Sequence, residues 1–186
     1  MTTYDPVPFW ESQATSLAGP GAATPEHERQ EAALLAVLRP LWWRSVLEVG
    51  VGGGRITDLL HRMRPKSVYT GIDIGRVQLD RAKKVWPEGG FMLTAIEDFD
   101  YDDRRWDLVI TSEVLMHVKP DRIEDAIANV LAAARRHVVI VEWDPLPGEL
   151  DNPVAPFNFP HDYRKLLGSV TDETRTDRQV IFHVAK

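Results

Sequence analysis

Residues 46–57 read VLEVGVGGGRIT: an apolar run breaks into four glycines within five positions, then resumes as a helical pattern. Glycine loses more conformational freedom on folding than any other residue. So dense a cluster is sustained only where the chain takes positive φ or another molecule comes close to bare backbone. The junction therefore demands a strand, a tight turn and a helix in succession. It raises the question of what lies against the turn.

The surrounding segments repeat that alternation. SVLEVG (45–50) is a short apolar strand, and Ile56, Leu59, Leu60 and Met63 follow at helical spacing. SVYTGID (67–73) is a second strand, followed by a helix over 76–85 that Pro87 ends. GFMLTAI (90–96) and WDLVITS (106–112) are the third and fourth. After Pro120 a helix carries Ile123, Ile127, Val130 and Leu131 on one face, and HVVIVEW (137–143) is the fifth strand. Ahead of them a helix opens with Thr24 as N-cap, Pro25 in the first position and Glu26 and Glu28 at its positive end, running to about Arg39 before Pro40. Apolar strands alternating with amphipathic helices imply a parallel sheet covered on both faces.

The two ends differ. Residues 1–24 hold Pro6, Pro8, Gly19, Pro20 and Gly21 around Tyr4, Phe9 and Trp10, which predicts an extended, irregular arm. After a loop rich in Pro and Asn (144–160), HDYRKLL predicts a short helix. SVTDETRTDRQVIFHVA then predicts two strands around a charged turn, antiparallel at the sheet edge. No internal repeat and no second domain is visible, so 1–186 reads as one domain, an arm over 1–24 and a core over 25–186.

Composition narrows the partners. The chain has 186 residues, enough to bury a core, and a net charge of −6, which disfavours a nucleic-acid backbone as main partner. It has no cysteine, which removes disulfides, thiolate metal sites and cysteine nucleophiles and fits a reducing compartment. No apolar run approaches the roughly 18 residues that span a bilayer. MTTYDPVPFW lacks the basic start and apolar stretch of a signal peptide. A cytoplasmic protein with no membrane partner and no metal is expected.

Several meanings of the glycine junction compete. It could be a tight turn with no ligand. A dinucleotide fingerprint needs G-x-G-x-x-G, but the last position here is Arg55, which cannot pack as glycine does between helix and strand. A phosphate-binding loop needs Gly-Lys-Ser/Thr, which is absent. The remaining pattern is Glu48-Val49-Gly50-Val51-Gly52-Gly53-Gly54, an acidic residue two before the first of three alternate glycines. Here the chain resembles the class I S-adenosylmethionine-dependent methyltransferases, and the resemblance extends over about residues 45–142. It implies a Rossmann-like, doubly wound α/β fold. The sheet would have seven mostly parallel strands, with an antiparallel C-terminal edge hairpin and helices on both faces. It also implies S-adenosyl-L-methionine as cofactor and S-adenosyl-L-homocysteine as product.

By that resemblance Gly50, Gly52 and Gly54 line the cofactor, and Glu48 organises the turn and the cofactor's amino group. Asp73, 25 positions after Glu48, accepts both ribose hydroxyls, the lesser alternative being a cap on the next helix. Ile74 packs on the adenine, Ile96 contacts it through its backbone, and Glu97 lies beside it. Ala95 stands where the family often has Asp, so the usual side-chain contact to the adenine amino group is missing. Thr111, Ser112 and Glu113 fall at the methionine end.

Methyl transfer is a displacement in which the protein orients the partners and excludes water. A general base is needed only when the nucleophile starts protonated. No Asn/Asp-Pro-Pro-Tyr/Phe follows the fourth strand, where Ser112-Glu113-Val114-Leu115 stands, which speaks against DNA-base amines and glutamine amides. A small acidic chain without an appended recognition domain points to a small-molecule acceptor with an N or O nucleophile. His161 and Tyr163 are the candidate catalytic residues, with the alternative that HDY only caps a helix at 163–167. Glu113 and Asp144 are candidate substrate contacts. Phe9 and Trp10 join them if the arm is a lid; otherwise the arm's aromatics fill a groove behind the sheet or form a homodimer contact. His117, just after the fourth strand, is a further candidate active-site group, with packing under the sheet edge the favoured reading. The competing class is a catalytically inactive, methyltransferase-like partner subunit, and a nicotinamide oxidoreductase ranks behind it.

Overall fold

The computed structural model describes residues 4–14, 16–17, 19–20, 24–145, 155–177 and 179–186. Seven strands form one sheet: β1 (Ser45–Val49), β2 (Val68–Asp73), β3 (Gly90–Leu93), β4 (Trp106–Ser112), β5 (Ala134–Trp143), β6 (Asp172–Thr176) and β7 (Gln179–Ala185). Their order across the sheet is β3-β2-β1-β4-β5-β7-β6. The first five strands run parallel, and β7 is antiparallel to both of its neighbours. The chain moves outward from β1 to β3, then restarts on the other side at β4. A crevice therefore opens beyond the C-terminal ends of β1 and β4, where open α/β sheets bind ligands.

Both faces of the sheet are covered. Leu47, Val109 and Val138 point into one cluster with α5 (Ile123–Ala133) and α6 (Tyr163–Leu167). Their chain neighbours Val46, Leu108 and Val139 point into the other, with α2 (Pro25–Leu38) and α3 (Arg55–Met63). The central strand side chains are mostly apolar because neither face meets water, which is why β1, β4 and β5 read as apolar runs. α4 (Arg76–Val85) packs beside β2 and β3. Thr24 caps α2 as its sequence suggests, its side chain accepting from His27 N at 3.2 Å. Among the described residues no helix is long and apolar enough to cross a membrane.

Some boundaries depart from expectation. The arm is not irregular: α1 (Pro6–Gln13) is a helix of eight residues. Pro6 and Pro8 both lie in its first turn, where the amides would have no intrahelical acceptor, so proline costs little there. β3 ends at Leu93, and Thr94–Ile96 leave the strand for a single 3₁₀ turn, Ile96–Asp98. β5 begins three residues early, at Ala134 rather than 137. Within the C-terminal hairpin it is β6 that forms the edge, while β7 is interior. Of the loop expected over 144–160, residues 146–154 lie outside the described ones.

One polar contact fastens the opposite end of the sheet. Asp107 is buried near the start of β4, and its carboxylate accepts from the backbone amides of Arg44 at 2.9 Å and Ser45 at 3.2 Å. Ser45 Oγ in turn accepts from Asp107 N at 2.9 Å, locking β4 to β1. Asp107→Ala strips two amides of their acceptor and is expected to cost about 1–3 kcal/mol in urea unfolding. Because the contact lies at the strands' N-terminal ends, ligand affinity at the crevice should not change.

Candidate functional site

A cavity of about 630 Å³ occupies the crevice at the strand ends. Its floor is the glycine turn. Gly50, Gly52 and Gly54 all take positive φ, at 73°, 50° and 88°, a region where a side chain is strained. The three glycines serve different neighbours. A Cβ on Gly50 would sit 2.2 Å from Val114 Cγ2, so this glycine lets the turn after β4 close on β1. A Cβ on Gly54 would meet Val85 Cγ2 at 3.1 Å, so this one lets α3 approach α4. A Cβ on Gly52 would meet only Leu17 Cδ1, at 3.8 Å, and would otherwise stand in the cavity. Gly52 is the glycine that leaves backbone open to an occupant.

Asp73 braces this turn from the end of β2. Its Oδ2 accepts from Gly52 N at 3.0 Å and its Oδ1 from Gly75 N at 2.8 Å. Ligand wall and turn brace are therefore one residue. Burial raises its pKa, and the amides of Gly75, Gly52 and Ile74 pull against that rise. Glu48 is buried deeper, with Oε2 accepting from Tyr69 OH at 2.6 Å and Thr57 Oγ1 at 2.8 Å. Burial pushes its carboxyl up to about 8, so at neutral pH the acid holds a proton. Glu113, at φ 58°, receives Gln179 Nε2 at 2.7 Å and Arg55 Nη2 at 3.4 Å.

A second buried carboxylate shapes the far wall. Glu142 of β5 accepts from the amides of Val114 at 2.9 Å, Leu115 at 2.8 Å and Met116 at 3.2 Å. It thereby fixes the 3₁₀ turn Leu115–His117 that carries His117 to the cavity. Burial raises the Glu142 carboxyl to about 8 as well, with those amides opposing. The roof is α1 and the residues before it: Tyr4, Val7 and Trp10 all face the cavity. Trp10 Nε1 donates to Tyr4 OH at 2.9 Å, and the Trp10 ring lies 4.4 Å from that of His117.

The expected site residues divide. Glu48, Gly50, Gly52, Asp73, Ile74, Ile96, Glu97, Glu113 and Trp10 border the cavity. Six others do not. Gly54 faces α4 instead. Thr111 is enclosed within β4 with its Oγ1 unpartnered, and the strand's alternation hands the cavity to Ser112. Phe9 turns away to stack on Phe157, with ring centroids 4.6 Å apart. Asp144 is drawn off by Arg164, at 2.9 Å, and by Arg175.

The two catalytic candidates fall outside as well. His161 is 6% exposed, and its Nε2 bonds to Val118 O at 2.9 Å. Tyr163 is buried in the core against Phe182, and the neighbouring Asp162 is the N-cap of α6, accepting from Lys165 N at 3.1 Å. What the sequence understated is His117, Tyr4 and the brace at Glu142. The motif around His117 is local, but its partners come from β5, α1 and Phe157. Among the described residues no group of three or more His, Cys, Asp or Glu could hold a metal ion.

Comparison with known proteins agrees with this geometry. Residues 46–137 match the family model of a methyltransferase domain. No curated protein matches the chain. Among solved structures, it is similar to magnesium protoporphyrin IX methyltransferase from Synechocystis PCC 6803 with bound S-adenosylhomocysteine. There the TM-score is 0.69 at 19% identity, over 87% of this chain and 84% of that one. An N-methyltransferase, NodS, from Bradyrhizobium japonicum WM9 gives 0.70 at 16% identity, over 87% and 88%. A putative O-methyltransferase from Nostoc punctiforme PCC 73102 gives 0.73 at 16%, over 96% and 60%.

The glycines make a paired prediction. Gly50→Ala should lower the melting temperature sharply, because its methyl collides with Val114 and the αL backbone costs a further ~1–2 kcal/mol. Gly52→Ala carries the same backbone cost without the collision. It should melt higher than Gly50→Ala, yet bind S-adenosylhomocysteine at least tenfold more weakly than the native chain by calorimetry. Native affinity in Gly52→Ala would mean that nothing lies against that backbone.

Proposed function

We propose that this chain, which belongs to the class I S-adenosylmethionine-dependent methyltransferases, moves a methyl group to a nitrogen or oxygen nucleophile of a small molecule. The observation that carries the reading is the floor of the cavity, where Gly52 leaves its Cβ position empty beside a carboxylate, Asp73, aimed at the same space. Those groups suit S-adenosylmethionine. Each Asp73 oxygen spends one lone pair on an amide and keeps capacity for a ribose hydroxyl. Ile74 and Ile96 offer apolar surface for the adenine, with Glu97 beside them. Glu48 stands where an ammonium would draw off the proton that burial makes it hold. Bound there, the cofactor supplies an electrophilic sulfonium methyl.

The chain's own part is to orient the acceptor and keep water out. A small acceptor follows from the roof: α1 closes the cavity with Tyr4, Val7 and Trp10, leaving pocket-sized space rather than a groove for a polymer. A structural relative whose name specifies a porphyrin substrate is consistent with this. A cytoplasmic location belongs to the same reading and rests on a chain without cysteine.

α1 reads as a lid. It has no buried residue of its own. It is tied to α4 by Gln78 Nε2 donating to Trp10 O at 2.6 Å and by Arg81 donating to Ala14 O. Beside the cavity its Phe9 ring meets Phe157, and the Tyr4 ring just before it meets Phe159. A lid of this kind opens for exchange and closes for chemistry.

Two experiments test the proposal. S-adenosylhomocysteine should raise the melting temperature while NAD does not. Asp73→Ala should weaken cofactor binding by roughly 1.5–3 kcal/mol, the range for hydrogen bonds to a charged group. Unchanged affinity by calorimetry would refute the ribose clamp. For the lid, deletion of residues 1–18 should leave the melting temperature of the unliganded protein near native and remove most turnover. In the full chain, S-adenosylhomocysteine should protect α1 from proteolysis. A truncated chain that unfolds, or that turns over normally, rules the lid out.

A further inference from the structure

His117 borders the cavity between the roof and the turn after β4, and its surroundings fix more than its position. Its Nδ1 lies 2.8 Å from the carbonyl oxygen of Phe157. A carbonyl oxygen only accepts, so the ring hydrogen sits on Nδ1 and Nε2 carries a lone pair. The ring cannot drift, because the backbone beneath it is held by the three amide bonds to Glu142. Its face is covered by Trp10 at 4.4 Å between centroids. The result is a neutral, oriented imidazole on the wall of the cavity.

Resting on the methyltransferase reading above, the geometry points to His117 as the proton acceptor for the hydroxyl group of a flat, largely apolar acceptor seated against Tyr4, Val7 and Trp10. Two features of the wall and one of the chemistry choose a hydroxyl over an ammonium. The roof residues Tyr4, Val7 and Trp10 carry no carboxylate to pair with an ammonium. The nearest carboxylate, Glu113, already receives Arg55 and Gln179, so it is neither bare nor uncompensated. A neutral amine, moreover, has a free lone pair and gains little from a base during the displacement, whereas a hydroxyl oxygen must shed its proton. As the acceptor oxygen bonds the methyl carbon, the carbon–sulfur bond breaks with its electron pair staying on sulfur. The hydroxyl proton passes to Nε2, and the imidazolium then loses it to water.

The surroundings tune the ring for this task. Burial lowers its pKa from the ordinary imidazole value, keeping it neutral and ready. Once the cation forms, the Phe157 carbonyl, the charge of Glu113 and the Asn158 side chain all favour it. Glu113 from the turn after β4 is the charged group facing the ring. Tyr4 on the roof stays protonated because burial raises its pKa, and Lys119 lies on the same wall. The base works only when neutral. Turnover should therefore rise with pH through the His117 ionisation, with a midpoint below that of free imidazole.

Two measurements decide the matter. Long-range ¹H–¹⁵N spectra of the ¹⁵N-labelled protein saturated with S-adenosylhomocysteine, from pH 5 to 8, should show His117 hydrogen on Nδ1 and a midpoint below free imidazole. Methyl transfer should then be followed across phenols, fused-ring alcohols and primary amines, for the native chain and for His117→Gln, whose amide can still donate to Phe157 O. The expected result is turnover of hydroxyl acceptors and a loss of at least 100-fold in kcat for His117→Gln. The acid limb of its pH profile should vanish, while S-adenosylhomocysteine affinity and melting temperature stay native. Hydrogen on Nε2, a variant within threefold of native turnover, or turnover confined to amines overturns the role of His117. So does an absence of any hydroxyl turnover while S-adenosylhomocysteine still binds, and in that case the cofactor reading stands. If S-adenosylhomocysteine does not bind the native chain, both fall.

Discussion

The site depends on one carboxylate placed between two turns. Asp73 holds Gly52 with one oxygen and Gly75 with the other, so a single side chain ties together the turns that follow β1 and β2, beyond the reach of the strand ladder. The glycine turn needs such a brace. Three of its residues sit at positive φ, and a glycine-rich loop left to itself would sample many conformations. Because the brace is itself a cavity wall, the feature that rigidifies the turn also faces whatever the turn binds. Preorganisation and recognition thus share one residue.

The same device recurs along the strand ends. Glu48 organises Thr57 and Tyr69 under the turn, and Glu142 gathers three amides of the turn after β4. Burying an acid is costly, and each is retained with donors that offset part of the loss. Both carboxyls are pushed to about 8, so in the empty protein they act at neutral pH mainly as hydrogen-bonding acids. Their folded pKa lies above the unfolded one. The stability they contribute is therefore fully present below the unfolded carboxylate range and drains away as pH rises toward 8. A cation bound beside Glu48 would reverse that trend locally.

What was legible in the sequence was whatever is encoded within one element. The strands showed as runs because both sheet faces are buried, and Val46 and Leu47 are apolar for opposite faces. The glycine turn and Asp73 showed because positive φ and a strand-end carboxylate have few other uses. The rest depended on partners far along the chain. His161 and Tyr163 look like a catalytic pair in sequence, yet Val118 O takes one and the core takes the other. Asp144 looks free until Arg164 and Arg175 arrive from other elements. Glu142 hides inside an apolar strand, and only the fold shows the three amides it serves. Prolines in the arm mislead because proline breaks a helix interior but not its first turn, and α1 begins at Pro6.

The cavity has walls of unequal strength, and that inequality matters for how it works. Its floor grows from strands whose apolar side chains are almost wholly removed from water, so moving the floor would disturb both core clusters. Its roof is one short helix with no buried residue, held by a few hydrogen bonds and by ring contacts. Opening therefore costs roof contacts alone, and the oriented groups beneath keep their places. The roof segment also spans the length of the site. Leu17 comes closest to the open position at Gly52, while Trp10 covers His117. The stretch of chain over the glycine turn is thus continuous with the one over His117. An occupant that touched either end of that segment would therefore brace the helix over the other end, without any rearrangement of the sheet.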